Sequence, residues 1–175
     1  RVSFQFSRPA NVFWQLADGS GSPERLTTSE YQNIPGTWSR DGQVLAFGEV
    51  NPTTGRDLWT LRVSGDRKPQ PFLRTKSNES APQFSPDGRW LAYMSDESGR
   101  PEIYVQPYPG PGGKYQVSTD GGTEPVWGRN GEIFYRSGDK MMAVDTKTQP
   151  TVSAGRPKVL FEGIYVPPLQ ANANY

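Results

Sequence analysis

The sequence predicts an all-β protein made of repeated four-stranded antiparallel sheets. The aromatic anchors Trp38, Phe84 and Trp127 open similar stretches and lie 46 and 43 residues apart. Glycine and proline cluster at the ends of short apolar stretches, and no stretch shows the apolar period of a helix. A repeat of this length with four short strands is typical of a β-propeller blade, because one such sheet cannot bury both of its apolar faces alone.

The clearest copy of the repeat begins with the turn Ser85-Pro-Asp-Gly88. Proline presets φ for the first central position, aspartate bonds nearby amides, and glycine supplies a positive φ. Trp90–Met94 follows as a strand with two apolar faces, which indicates burial on both sides. Residues 96–101 form the next turn, 103–105 the next strand, and 115–119 a more polar strand at the outer edge.

The copies predict a single propeller segment, 1–175, of about four blades. The blades are a remnant at 1–37, complete units at 38–75, 84–119 and 127–161, and a tail at 162–175. The first unit lacks the turn that opens the others, so we expect its first strand to come from outside this stretch. An open arc exposes apolar faces at both ends, which favours further blades in a larger ring or a second copy that completes it.

Composition excludes several classes of function. The chain has 19 basic and 18 acidic residues and a net charge of +1, which gives no electrostatic basis for binding nucleic acid or an anionic membrane. It has no histidine and no cysteine, so Ser-His-Asp and Cys-His nucleophiles and ordinary zinc sites cannot form within it. We therefore expect no catalytic residues, no metal and no cofactor.

Several partial motifs have simpler structural explanations. The stretch 109–114 resembles a phosphate loop but has the wrong spacing and precedes a strand. Asp96 and Glu97, near Glu102, lack the spacing of a calcium loop. Asp41, Asp87 and Asn130 recur once per unit, as turn residues do. The three aromatic anchors recur at one blade position, which favours packing between blades over a ligand platform.

The candidate binding surface is the channel mouth. Loops before the innermost strands and between the second and third strands share this face of a propeller, and loops on a rigid scaffold are where binding usually resides. The loops are 33–37, 51–57, 78–83, 96–102 and 121–126. We select Arg56, Glu79, Arg100 and Glu124 as candidate ligand-binding residues. The simpler interpretation, that these four are ordinary solvated charges, stays open.

Two stretches carry a resemblance to a known family. Ser85-Pro-Asp-Gly-Arg-Trp-Leu-Ala-Tyr93 and Ser95-Asp-Glu-Ser-Gly-Arg-Pro-Glu-Ile-Tyr-Val105 resemble the TolB-type propeller repeats of bacteria. The closer resemblance is to propeller regions that follow bacterial serine/threonine kinase or winged-helix DNA-binding domains. It departs from that pattern at Arg40 and Arg129, where the family usually has proline.

The resemblance implies a non-catalytic module that binds a protein, peptide or ligand as the sensory or scaffold part of a larger bacterial protein. It favours an extracytoplasmic or periplasmic location. From the balanced charge, we expect no contact with nucleic acid and no membrane contact by this segment. An alternative is the substrate-gating propeller of a serine oligopeptidase, which a Gly-x-Ser-x-Gly elbow elsewhere in the same gene would favour. A kinase or winged-helix domain would favour the sensor. A structural segment without a ligand is a third possibility.

Overall fold

A computed structural model describes residues 1–6, 8–149 and 151–163. The chain forms four antiparallel sheets in sequence order. The first sheet contains β1 (Val2–Phe6), β2 (Asn11–Gln15) and β3 (Glu24–Arg25). The second contains β4 (Gln32–Trp38), β5 (Val44–Asn51), β6 (Gly55–Arg62) and β7 (Gln70–Leu73). The third contains β8 (Glu79–Phe84), β9 (Trp90–Ser95), β10 (Glu102–Pro107) and β11 (Tyr115–Gln116). The fourth contains β12 (Thr123–Trp127), β13 (Glu132–Ser137), β14 (Lys140–Lys147), β15 (Ser153–Ala154) and β16 (Lys158–Glu162).

Neighbouring sheets pack face to face, as the repeat predicts. Val12 of the first sheet packs with Leu45 and Phe47 of the second. Ala46 of the second packs with Leu91 of the third. Larger groups cover the junction between the third and fourth sheets, and they comprise Ala92, Ile103, Val105, Trp127, Ile133, Tyr135 and Val144. Each junction between neighbouring sheets therefore buries apolar side chains from both, which confirms the propeller fold class.

The repeated turn has the predicted chemistry. The Gly88 N–H donates to the Ser85 carbonyl at 2.9 Å, and Gly88 has a φ of 70°. The Ser85 hydroxyl donates to the Asp87 carboxylate at 2.6 Å. The preceding copy repeats this hydroxyl-to-carboxylate bond between Ser39 and Asp41, also at 2.6 Å. These hydrogen bonds lower the pKa of the exposed Asp41 carboxyl, with Ser39 as the largest cause.

The innermost strands correct one expectation. The stretches 33–37, 78–83 and 121–126 are predicted as loops, but they lie mostly in β4, β8 and β12. Each of these strands is bulged, and each contains a proline at or beside the bulge: Pro35, Pro82 and Pro125. Proline and a bulge break the period-2 apolar pattern by which a strand is predicted from sequence, so these strands are hidden from a reading of the pattern alone.

The two ends of the arc expose apolar side chains. In the first sheet, Phe6 is 67% exposed and packs edge-on against Phe13. In the last sheet, Val159 and Leu160 of β16 are about half exposed. Within the described part of the chain, the first sheet has three strands in the order β1-β2-β3, as expected for a unit without its innermost strand. Most of the predicted tail, 164–175, lies outside the described residues.

Candidate functional site

A small cavity lies at the channel mouth between the second and third sheets. Its walls come from β4, the end of β5, the start of β6 and the start of β8. Two of the four predicted residues, Arg56 and Glu79, line it together with Glu49 and Ser80. Its volume of about 20 Å³ suits one water molecule or a group of similar size. The fold therefore brings Arg56 and Glu79 together, although they lie 23 positions apart in the chain.

Glu79 is a buried carboxylate with few donors. It is 1% exposed, and its Oε1 accepts a hydrogen bond from the Thr75 hydroxyl at 2.5 Å. Its Oε2 is buried without a hydrogen-bond partner among the described residues, and so is the neighbouring Ser80 hydroxyl. Burial raises the pKa of Glu79 from 4.5 to about 7, and the charge of Asp57 adds to the rise. Glu79 therefore titrates near neutral pH.

Asn78 joins two turns at the mouth and was not among the residues selected from sequence. Its backbone N–H and its Nδ2 donate to the two carboxylate oxygens of Asp96, each at 2.8 Å. Its Oδ1 accepts the Arg56 N–H at 3.2 Å. A Cβ added at Gly55, whose φ is 92°, would lie 2.7 Å from that Oδ1, so the close approach requires glycine there. Hydrogen bonds from Asn78 lower the pKa of Asp96.

Arg100 lies in the turn between β9 and β10, and it is occupied by contacts within the protein. Its Nε donates to Glu102 Oε1 at 2.8 Å, and its Nη1 lies 3.4 Å from Asp120. Its Nη2 also donates to the Thr119 carbonyl. The side chain therefore connects this turn to the segment that leads into β12, and half of it stays exposed to solvent.

Glu124 lies within β12 rather than in a loop, and it is buried. Its φ of 53° is in the left-handed region, immediately before Pro125. Its carboxylate accepts a hydrogen bond from Arg136 Nη1 of the neighbouring β13 at 3.4 Å. Ala81 has a φ of 50° immediately before Pro82 in β8, so the two innermost strands share this kink. The Glu124 carboxylate thus has a partner in its own sheet, whereas Glu79 has none of that kind.

A buried polar residue recurs near the start of β2, β6 and β10, which pair with the outer strand in the first, second and third sheets. Asn11, Asp57 and Glu102 occupy this position, and none is more than 1% exposed. In the first sheet, the Thr27 hydroxyl donates to Asn11 Oδ1 at 3.1 Å and accepts the Val12 N–H at 2.9 Å. The hydroxyl thereby holds the segment after the outer strand against the third strand. We call this arrangement the hydroxyl latch.

The third sheet repeats the hydroxyl latch, and the second does not. Ser118 donates to Glu102 Oε2 and accepts the Ile103 N–H at 2.7 Å. In the second sheet the corresponding residue is Arg74, whose Nε lies 3.6 Å from Asp57 Oδ2. Asp57 Oδ1 is buried without a hydrogen-bond partner among the described residues. The sequence holds a signal for the hydroxyl latch, because the pairs Leu26-Thr27, Leu73-Arg74 and Val117-Ser118 align. Only the contacts across the sheet show that the hydroxyl at the second position of the pair joins two strands.

The opposite end of the channel holds a larger cavity of about 570 Å³. Its walls include the aromatic anchors Trp38, Phe84 and Trp127 together with Arg40 and Arg129. Phe84 and Trp127 are buried against neighbouring sheets, in agreement with their predicted packing role. The two arginines that depart from the repeat pattern therefore line the channel and give this end a positive charge.

Two features are absent from the residues that the structure describes. Within residues 1–6, 8–149 and 151–163, no group of three or more acidic, histidine or cysteine side chains is arranged to hold a metal ion. The same ranges contain no helix with the length and apolar character needed to cross a bilayer.

Sheets stacked face to face around a channel define the class of this protein, a β-propeller. The chain is 33% identical over 78 residues to the Tol-Pal system protein TolB of Hydrogenovibrio crunogenus, and this match covers 43% of the chain. Its fold is similar to that of a putative TolB from Agrobacterium tumefaciens, with a TM-score of 0.74 over 87% of the chain. TolB from Acinetobacter baumannii gives a TM-score of 0.71 over 91% of the chain. In repeat sequence and fold, the chain is similar to the β-propellers of bacterial TolB proteins.

The matches cover only part of each relative. The matched segment spans 18% of the Hydrogenovibrio protein. It spans 57% of the Agrobacterium structure and 40% of the Acinetobacter structure, both at 16% sequence identity. No protein-family model matches the chain. The structural matches therefore support the fold, and the activity of any whole relative does not transfer with them.

Propellers from enzymes are similar at a lower level. A gluconolactonase from Xanthomonas campestris gives a TM-score of 0.56 at 16% identity. A prolyl endopeptidase gives a TM-score of 0.52 at 15% identity, and the match spans 26% of its chain. Both comparisons concern the fold alone, so they carry no argument for hydrolysis by this chain.

Proposed function

We propose that this chain is a non-catalytic propeller module that binds a protein or peptide at the channel mouth between its second and third sheets. The observation that carries the proposal is the small cavity at the mouth, which Arg56 and Glu79 both line. Neither side chain forms an ion pair within the described residues, whereas most other charged groups at the mouth do. Buried charged groups are normally paired, so the Glu79 carboxylate is a candidate for pairing with a partner, and the partly exposed Arg56 lines the same cavity.

The TolB relatives support a protein as the partner. Two of these relatives are named as proteins of the Tol-Pal system. The Arg100 and Glu124 side chains extend the mouth beyond the cavity, and we propose that they shape the surface rather than pair with the ligand. Their carboxylate and guanidinium groups already have partners within the chain.

We further propose that the segment acts as the sensory or scaffold part of a larger extracytoplasmic bacterial protein. The match to only part of each TolB relative supports a larger ring. The exposed apolar side chains of β1 and β16 suit packing against another propeller sheet, supplied by further blades or by a second copy. Sedimentation of the chain tests the second-copy version, and a species that stays monomeric at high concentration contradicts that version.

Selection of peptides against the full chain tests the binding function. Arg56→Glu reverses a charge at the cavity, and Arg129→Glu makes the same change at the opposite end of the channel. We expect selected peptides to bind Arg56→Glu at least tenfold more weakly and Arg129→Glu unchanged, as measured by calorimetry. Equal affinity for both variants, or a stronger effect of Arg129→Glu, contradicts binding at the mouth.

A further inference from the structure

The cavity at the opposite end of the channel differs from the mouth cavity in size and in charge. Its volume of about 570 Å³ is in the range of small-molecule sites, whereas the mouth cavity has room for one water molecule. Among the described residues, Arg40 and Arg129 are the charged ones that line it, and the rest of the lining is Ser85, Pro86 and the three aromatic anchors. The lining therefore carries positive charge and no negative charge.

Both arginines are accessible to a ligand. Each is exposed to solvent, and neither forms an ion pair within the described part of the chain. An arginine side chain presents five N–H donors in a planar fork that matches carboxylate and phosphate oxygens. Arg40 and Arg129 thus offer donors and positive charge that the protein itself does not use.

The two arginines occupy one position of the repeat. Arg40, Pro86 and Arg129 are the second residue of the repeated turn in three consecutive sheets, and all three line the cavity. The turn closes in the same way in each copy, by a glycine N–H that donates to the carbonyl three residues earlier, at 2.8, 2.9 and 3.1 Å. Because the three turns share this hydrogen bond, the residue at the second position sets the charge of the cavity without changing how the turn closes.

The acidic side chains of these turns have partners of their own. Asp41 accepts hydrogen bonds within its turn, and Asp87 forms an ion pair with Arg89 at 3.1 Å. Both aspartates line a separate, neighbouring cavity. The fourth sheet has Asn130 at the equivalent position, and its amide donates to Glu132. The carboxylates nearest in sequence to the two arginines therefore lie outside the lining of this cavity.

Aromatic walls strengthen the effect of the two charges. Phe84 and Trp127 are buried, and Trp38 is partly buried. A cleft that has charges of one sign and low-dielectric walls focuses the electric field and raises the local concentration of counter-ions. Aromatic faces also favour a ligand with a flat apolar part. Size, charge and walls together define one class of ligand.

We propose that this cavity binds a small organic anion, with its carboxylate or phosphate group held by Arg40 and Arg129 and its apolar part against the aromatic anchors. The site lies at the other end of the channel from the mouth, so it is additional to the proposed function and does not depend on it.

Phenyl phosphate is the probe, titrated into the full chain at neutral pH and constant ionic strength. The indole N–H signals of the tryptophans are followed by NMR. We expect saturable shifts at Trp38 and Trp127, which line the cavity, and none at Trp59, which packs beside Arg74 outside it. Benzoate replaces the phosphate by a carboxylate and shows which anion the site prefers. Phenol has no charge and benzylammonium has the opposite charge, so neither should produce a saturable shift.

Charge variants give the proposal a sign in both directions. We expect the affinity for phenyl phosphate to fall about fivefold in Arg40→Gln and in Arg129→Gln. Arg156→Gln removes the same charge from an exposed arginine that does not line the cavity, and it should leave the affinity unchanged. Pro86→Arg adds a third charge at the equivalent turn position, where two other copies already carry arginine, and it should raise the affinity severalfold.

Four results overturn the inference. The first is the absence of saturable shifts at Trp38 and Trp127 with both phenyl phosphate and benzoate. The second is equal binding of phenol, which would make this an apolar cavity without selection for charge. The third is an equal loss of affinity in Arg156→Gln and Arg129→Gln, and the fourth is unchanged affinity in Pro86→Arg. Each result leaves peptide binding at the mouth untouched, because that function is tested with other ligands.

Discussion

Glu79 and Glu102 are two buried carboxylates at the channel mouth with opposite surroundings. Both are 1% exposed. Glu102 accepts hydrogen bonds from the Arg100 guanidinium, the Ser118 hydroxyl and the Gly121 N–H. Glu79 accepts one, from Thr75, and keeps a buried oxygen without a partner among the described residues. At the junction between the third and fourth sheets, donors within the protein satisfy the buried Glu102 carboxylate. At the junction between the second and third sheets, one oxygen of the buried Glu79 carboxylate has no donor among the described residues.

A single repeat position accounts for part of this difference. Where the first and third sheets have Thr27 and Ser118, the second has Arg74. The long guanidinium side chain approaches Asp57 at 3.6 Å and lies over the Trp59 ring, so no hydroxyl joins the two strands there. The Asp57 charge then raises the pKa of Glu79. A polar group that costs stability when unpaired is the kind of group that persists at binding sites.

The largest expected effect comes from Glu102→Gln. The change removes a buried charge from three donors, so we expect it to lower the free energy of unfolding by about 3 kcal/mol. Urea unfolding at pH 7 measures the change, with the exposed Glu30→Gln as control. A loss similar to that of Glu30→Gln would mean that the donors around Glu102 contribute little.

The same change at Glu79 is expected to have the opposite sign. The pKa of Glu79 is raised to about 7, so the folded protein holds a proton between pH 4.5 and 7 that the unfolded chain releases. The stability that this proton contributes is present below pH 4.5 and is lost as the pH rises through 7. Glu79→Gln keeps a neutral side chain at every pH. We therefore expect it to match the wild type near pH 5 and to be about 2 kcal/mol more stable at pH 8.

Unfolding free energies of the two proteins across this pH range provide the measurement. Carboxylates with lowered pKa, such as Asp41 and Asp96, make both proteins less stable as the pH falls. The difference between the two unfolding free energies cancels this shared effect and reports on Glu79. A difference that stays constant with pH would show that Glu79 does not titrate near neutrality.

A smaller effect is expected at the glycines of the two mouth turns. Gly55 and Gly99 both have a φ of 92°, but an added Cβ meets Asn78 Oδ1 at 2.7 Å only at Gly55. Each alanine substitution carries the same backbone strain. We expect Gly55→Ala to cost about 1 kcal/mol more than Gly99→Ala, from thermal unfolding. Equal losses would mean that the Asn78 contact relaxes without cost.

The smallest effect is expected from transplanting the hydroxyl latch. Arg74→Thr with Asp57→Asn reproduces in the second sheet the pair found at Thr27 and Asn11. We expect the double variant to be about 1 kcal/mol more stable than the wild type. Arg74→Thr alone should be destabilising, because Asp57 loses its nearby positive charge. Additive effects in the double-mutant cycle would contradict the formation of a latch.

Sequence patterns predict the sheets better than the site. The turn at 85–88 and the two apolar faces of 90–94 predict a propeller blade, and the structure has a turn and a strand at these positions. The innermost strands are missed because Pro35, Pro82 and Pro125 and their bulges interrupt the alternation of side chains. Arg56 and Glu79, both selected from the sequence, line one cavity at the mouth, and their role in binding stays a prediction. Asn78 and Asp57 are missed, because their partners lie in other strands or turns.

The sequence by itself determined the local units: where each turn falls, which strands bury two faces, and that sheets must stack on sheets like themselves. Those features depend on neighbours within a few residues, and so they are visible as turn chemistry and apolar alternation. The tertiary structure alone decided which polar groups obtain partners. Glu79, Asp57 and Glu102 are buried carboxylates in similar repeats. Folding brings a donor to Glu102 from across a sheet junction, whereas Glu79 and Asp57 each keep one oxygen without a donor among the described residues.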